Sequence, residues 1–72
     1  MIKNMSDYEI LDFMMIDFIE AGDVILFAGN DYIVKQIDSV DLGWDLIAID
    51  RYEEEIDLFI PDGTIVGLLS ED

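Results

Sequence analysis

The chain divides at Gly22 into two stretches of different hydrophobic rhythm. Before it, Tyr8, Leu11, Met14, Met15, Phe18 and Ile19 recur at three- and four-residue spacing, with Ile10 at the edge. That spacing predicts one broad apolar face of a helix over residues 6–21. Ser6 and Glu9 have the separation of a capping box, Asp7 places negative charge in the first turn, and Gly22 supplies a stop. Glu9, Asp12, Asp17 and Glu20 fall on the opposite face, and Phe13 and Ile16 fall among them, where apolar side chains do not belong. After Gly22 the pattern is that of short strands, expected at 24–28, 32–37, 44–49, 56–60 and 64–69. Gly29, Asn30 and Asp31 form a hairpin turn cluster, 38–43 is a polar loop, 52–55 a charged turn, and Pro61-Asp62-Gly63 a tight turn.

Five short strands joined by tight turns suggest a small barrel or a curled antiparallel sheet, with the helix laid against it. The order Gly22-Asp23-Val24-Ile25, Tyr32-x-Val34-x-x-Ile37, a strand ending in Asp50, an acidic turn, then Pro61-Asp62-Gly63 resembles the SH3-like small barrels over about two-thirds of the chain. With the helix expected over residues 6–21, the expectation is an α+β domain: an N-terminal helix packed on a five-stranded, mostly antiparallel SH3-like barrel or curled sheet. It also implies a binding platform. No aromatic peptide groove matches well enough to carry over named residues.

Length allows one domain, 1–72. The chain has no Cys and no His, which removes disulfides, thiolate sites, the usual zinc ligand and the usual acid–base catalyst near neutrality. Eighteen carboxylates stand against Lys3, Lys35 and Arg51, a formal net charge of −15. Such a balance opposes direct nucleic-acid binding and anionic membranes, and favours partners with basic surfaces. The acids Asp12 and Asp17 interrupt the most apolar region, and no signal peptide is read, so a cytoplasmic protein is expected.

Catalysis has little to work with. Ser6, Ser39, Ser70 and Thr64 have no histidine base, and Ser6 is explained as a cap. Neither 38–45 nor 50–57 shows the alternating oxygen ligands and glycine bend of a calcium loop. No enzyme activity, metal or cofactor is therefore expected.

The acids remain as the functional feature. A chain of this mass exposes roughly 4,500 Å², or about one carboxylate per 250 Å² if they are spread evenly. Duplex DNA carries roughly one phosphate per 110 Å². Collecting the acids on half the surface makes the two comparable. The expected charged contacts are Asp41, Asp45, Asp50, Glu53, Glu54, Glu55 and Asp57, with Trp44, Tyr52 and Phe59 as apolar anchors. The leading expectation is a non-enzymatic inhibitor or modulator that mimics nucleic acid and occupies the basic site of a nucleic-acid-binding protein. In size and charge the chain is similar to small acidic inhibitors encoded by phages. The alternative is a homodimer or small assembly module associating through Phe13 and Ile16 on the helix.

Overall fold

The computed structural model describes residues 9–70, and the expected roles of Ser6, Asp7 and Tyr8 lie outside them. Among the described residues there is no α-helix. Six strands form one antiparallel sheet: β1 (Ile10–Met15), β2 (Val24–Phe27), β3 (Asn30–Val40), β4 (Gly43–Ile49), β5 (Glu55–Pro61) and β6 (Ile65–Leu69). The spatial order is β1-β6-β2-β3-β4-β5. This overturns the expected helix on a five-stranded SH3-like barrel. The first element is a strand, and the ladder has two edges, β1 and β5, rather than closing.

The reason lies in β6. Met14 stands opposite Val66, Phe13 opposite Gly67 and Met15 opposite Ile65, so the segment gains backbone partners along one side. In a strand, Met14 turns to the core while Phe13 and Met15 turn away from it. Of the two residues that spoil the helical wheel, Phe13 therefore stands exposed on the outer face, and Ile16 is placed by the turn that follows. A 3-10 turn, Ile16–Phe18, then ends the strand. The Ile16 N–H donates to the Thr64 carbonyl at 2.8 Å, which aims the Ile16 side chain inward. Glu20 and Asp23 close the next turn: the Glu20 N–H donates to Asp23 Oδ2 and the Asp23 N–H to the Glu20 carbonyl. Gly22, at φ 99°, belongs to this turn rather than to a helix end.

Curling brings the inner side chains of distant strands together. Ile16, Ile19, Ile25, Val34, Leu46, Ile60 and Val66 form the buried cluster, with Met14, Phe27, Tyr32, Ile37, Trp44, Leu58 and Leu68 packed around it. Ile16 is fully buried, so it is a core residue and is not available to the interface expected of it.

The hairpins fix the register. Phe27 pairs with Asn30, so the β2–β3 loop is Ala28-Gly29, with φ of 52° and 82°. This is a twisted two-residue turn, one position earlier than the glycine cluster implies, and it places Asn30 and Asp31 inside β3. Val40 pairs with Gly43, so β3 runs three residues past the expected strand end, and the loop is Asp41-Leu42. Gly43 is required there: a Cβ would lie 2.6 Å from the Ile60 carbonyl oxygen and 2.7 Å from the Phe59 ring.

Leu42 holds φ 67° with 84% of its surface exposed, while its carbonyl accepts the Asp62 N–H at 3.0 Å. A β-carbon in this left-handed region is strained, and nothing is gained by burying the side chain. Relief of that strain, about 1–2 kcal/mol, outweighs the added freedom of glycine in the unfolded chain, so Leu42→Gly is expected to raise the unfolding free energy by about 0.5–1 kcal/mol, read from the urea midpoint. No gain would mean that the loop is not held in this conformation.

Candidate functional site: the acidic half of the sheet

Cross-strand neighbours share a face, so the register assigns the outer surface row by row. Asp38 stands opposite Asp45, which stands opposite Phe59. The next row is Gln36, Ile47 and Asp57, and the next is Ile33, Ile49 and Glu55. The outer face of β3–β4–β5 therefore gathers Asp38, Asp45, Glu55 and Asp57. Cross-strand and diagonal spacings on such a face are about 5–8 Å. Evenly spread acids would sit about 16 Å apart on a surface of this size.

Little neutralises them. Lys35, the bulged residue between Val34 and Gln36, pairs with Glu55 at 2.7 Å, and both side chains are exposed. Gln36 Nε2 donates to Asp38 Oδ2 at 2.7 Å. Asp45 and Asp57 have no recorded side-chain partner among the described residues, and Asp38 and Asp45 face each other as like charges. Asp41 and Asp62 flank the Leu42 end of this face in adjoining turns.

Asp50, Glu53 and Glu54 lie in the β4–β5 loop at the other end. Asp50 has a structural role. Its Oδ1 accepts the Tyr52 N–H at 2.8 Å and the Glu54 N–H at 3.0 Å, which folds the loop. Glu53 adopts φ 64° within it. Tyr52 is exposed on the loop, and Phe59 is exposed on the acidic face with its ring over Gly43. Trp44 is placed differently from these two. It packs inward against the core, with a buried indole N–H that meets no acceptor. Of the three expected anchors, only Phe59 lies among the sheet acids.

Two residues of consequence escape the sequence reading. Asp38, expected in the 38–43 loop, lies within β3 opposite Asp45. Asp31, expected in the turn cluster, is buried in β3, and Arg51 Nη2 and Nε donate to its Oδ1 at 2.8 and 3.2 Å. Beside this pair, Asn30, Tyr32, Asp50, Tyr52 and Ile56 complete a small cleft of about 140 Å³. The signal available was arithmetic: in a chain with three cations, the lone Arg was the natural partner for any buried acid.

Comparison with known proteins supplies no family. No family model, curated protein or solved structure matches this chain. The reading of the site thus rests on its own geometry. Among the described residues, no three His, Cys, Asp or Glu side chains are grouped to hold a metal ion. Also among them, no helix is long and apolar enough to cross a membrane. What the arrangement offers chemically is a group of exposed carboxylates beside one exposed aromatic ring.

Proposed function

We propose that this protein is a non-catalytic binding domain that docks the acidic half of its sheet onto a basic protein surface. The surface in question is of the kind that holds nucleic-acid phosphates. Occupying it makes the chain an inhibitor or modulator of that partner, acting in the cytoplasm, as small acidic phage-encoded antagonists do.

The observation that carries this reading is the Asp38–Asp45 pair. Like charges directly opposite one another in a sheet are destabilising, on the scale of about 0.2–1 kcal/mol. Asp57 lies on the same face one row away. A partner that brings cations to these carboxylates relieves a repulsion already present in the free chain. Charge complementarity of this type speeds encounter, and the Phe59 ring gives the contact an apolar element that slows departure.

The test uses a panel of purified basic nucleic-acid-binding proteins and a triple variant, Asp38→Asn, Asp45→Asn and Asp57→Asn. Binding to a member of the panel is expected to weaken steeply between about 50 and 300 mM salt, because exposed charges are screened over this range. The triple variant is expected to lose at least about tenfold in affinity while folding as well as the parent or better. Binding that ignores both salt and the triple substitution overturns the reading.

A further inference from the structure

Two hydrogen bonds at the ends of β5 fix which way its backbone points. The Asp50 N–H donates to the Glu54 carbonyl at 2.9 Å, and the Asp62 N–H donates to the Leu42 carbonyl at 3.0 Å. Glu54 and Asp62 thus both turn backbone groups toward β4. In an antiparallel strand this direction alternates residue by residue. Ile56, Leu58 and Ile60 therefore face β4, where they stand opposite Ala48, Leu46 and Trp44. Glu55, Asp57 and Phe59 turn their N–H and C=O groups to the open side, and Pro61 turns only a C=O there. Among the described residues β5 pairs with β4 alone, and that ladder runs without a bulge.

The residues that offer free backbone groups are also the ones that carry acids on the outer face. Glu55, Asp57 and Phe59 are exposed there, about 7 Å apart. On the inner side of the same edge, Ile56 and Leu58 are only half-buried. Acids and a terminal Pro keep an edge from pairing with copies of itself. Centred on Asp57, a second β5 would set Asp57 against Asp57, and moved by one residue it would set Asp57 against Glu55. A cationic strand meets no such repulsion.

We propose that β5 is the docking edge for the basic partner, which adds to it an extended antiparallel segment with Lys or Arg alternating with apolar residues. Opposite residues in a ladder share a face. The cations then stand on the outer face against Glu55 and Asp57, and the apolar residues cover Ile56 and Leu58. Asp57 is the principal charged contact, since Glu55 already holds Lys35 at 2.7 Å. This inference rests on the function proposed above and names how the partner is held.

The test adds a blocked peptide of alternating Lys and Val, about eight residues long, to the full chain and follows amide exchange by NMR. A peptide of the same composition with Lys and Val in separate blocks is the control. The alternating peptide is expected to bind at least about fivefold more tightly than the control. It is expected to slow exchange at Asp57 and Phe59 at least about tenfold, while Leu58 and Ile60, already turned to β4, change little. In antiparallel pairing the Lys N–H groups of the peptide point at β5, so N-methylation at Lys is expected to abolish the protection and N-methylation at Val to leave it. Equal affinity for the two peptides with no protection at Asp57 and Phe59 overturns the edge pairing, as does indifference to which residues are methylated. The two proposals fail separately. Panel proteins that bind in low salt and lose affinity for the triple variant, beside a peptide that protects no β5 amide, leave the proposed function standing and remove the docking edge. A panel that ignores salt and the triple substitution removes the function itself.

Discussion

Replacing Arg51 with Met is expected to lower the free energy of unfolding by about 2–3 kcal/mol, measured by urea denaturation. The argument is one of desolvation. Asp31 retains only 4% of its surface, and Arg51 supplies both of the side-chain hydrogen bonds recorded for it, at 2.8 and 3.2 Å to a single oxygen. Removing the guanidinium leaves a buried carboxylate in the sheet without its counter-charge. Removing one partner of a fully buried pair costs about 3–5 kcal/mol. The Arg51 side chain is 26% exposed, so water reaches into the gap and the cost is smaller.

Two companion variants separate charge from packing. Asp31→Asn together with Arg51→Met is expected to recover more than half of the loss, because the uncompensated charge is gone. Lys35→Met is expected to change stability by less than about 0.5 kcal/mol, since the Lys35 and Glu55 side chains are 61% and 53% exposed and the pair is screened. An Arg51→Met protein as stable as the parent would mean that Asp31 is not held as described.

The β half of the fold was readable in residues 23–69 because it is written locally. Ile56, Leu58 and Ile60 alternate with Asp57 and Phe59, and a period of two has one structural meaning. Pro61-Asp62-Gly63 marks its turn for steric reasons that no distant contact alters, with Gly63 at φ 79°. The errors in this half are single-residue shifts with large consequences. Taking Gly29-Asn30-Asp31 as the turn hid the Ala28-Gly29 loop, and so hid the one acid found buried among the described residues. Ending β3 at Ile37 removed Asp38 from the face that it shares with Asp45.

The first element could not be settled by local pattern. In the run Ile10–Met15, five of six residues are apolar, and so dense a run satisfies both a three-and-four spacing and a period of two. What decides is a partner strand more than fifty residues away, through pairs such as Ile10 with Leu69. The acids of the candidate site show the same division. Asp45, Glu55 and Asp57 were found from charge alone, yet which of them share a face follows from the ladder register. Trp44 has the chemistry of an anchor, whereas its inward direction follows from its place in β4.

Ile16→Ala gives the largest effect expected of any substitution considered, a loss of about 3–4 kcal/mol. Ile16 has no exposed surface, and its side chain joins Ile19, Ile25, Val34, Leu46, Ile60 and Val66. The 3-10 turn pins its backbone to Thr64, so the core cannot easily collapse into the space left behind. A domain this small has roughly 5 kcal/mol in total, so most of the margin disappears. At about 4–8 °C per kcal/mol, the thermal midpoint falls by more than 10 °C. Phe13→Ala provides the contrast, because Phe13 is 61% exposed and its ring lies beside Gly67. It is expected to cost no more than about 1 kcal/mol. In a helix over residues 6–21 both side chains would lie on the same acidic face and the two substitutions would cost alike. Equal losses in paired urea titrations would therefore reject the strand and 3-10 turn, and a gap of about two kcal/mol or more supports them.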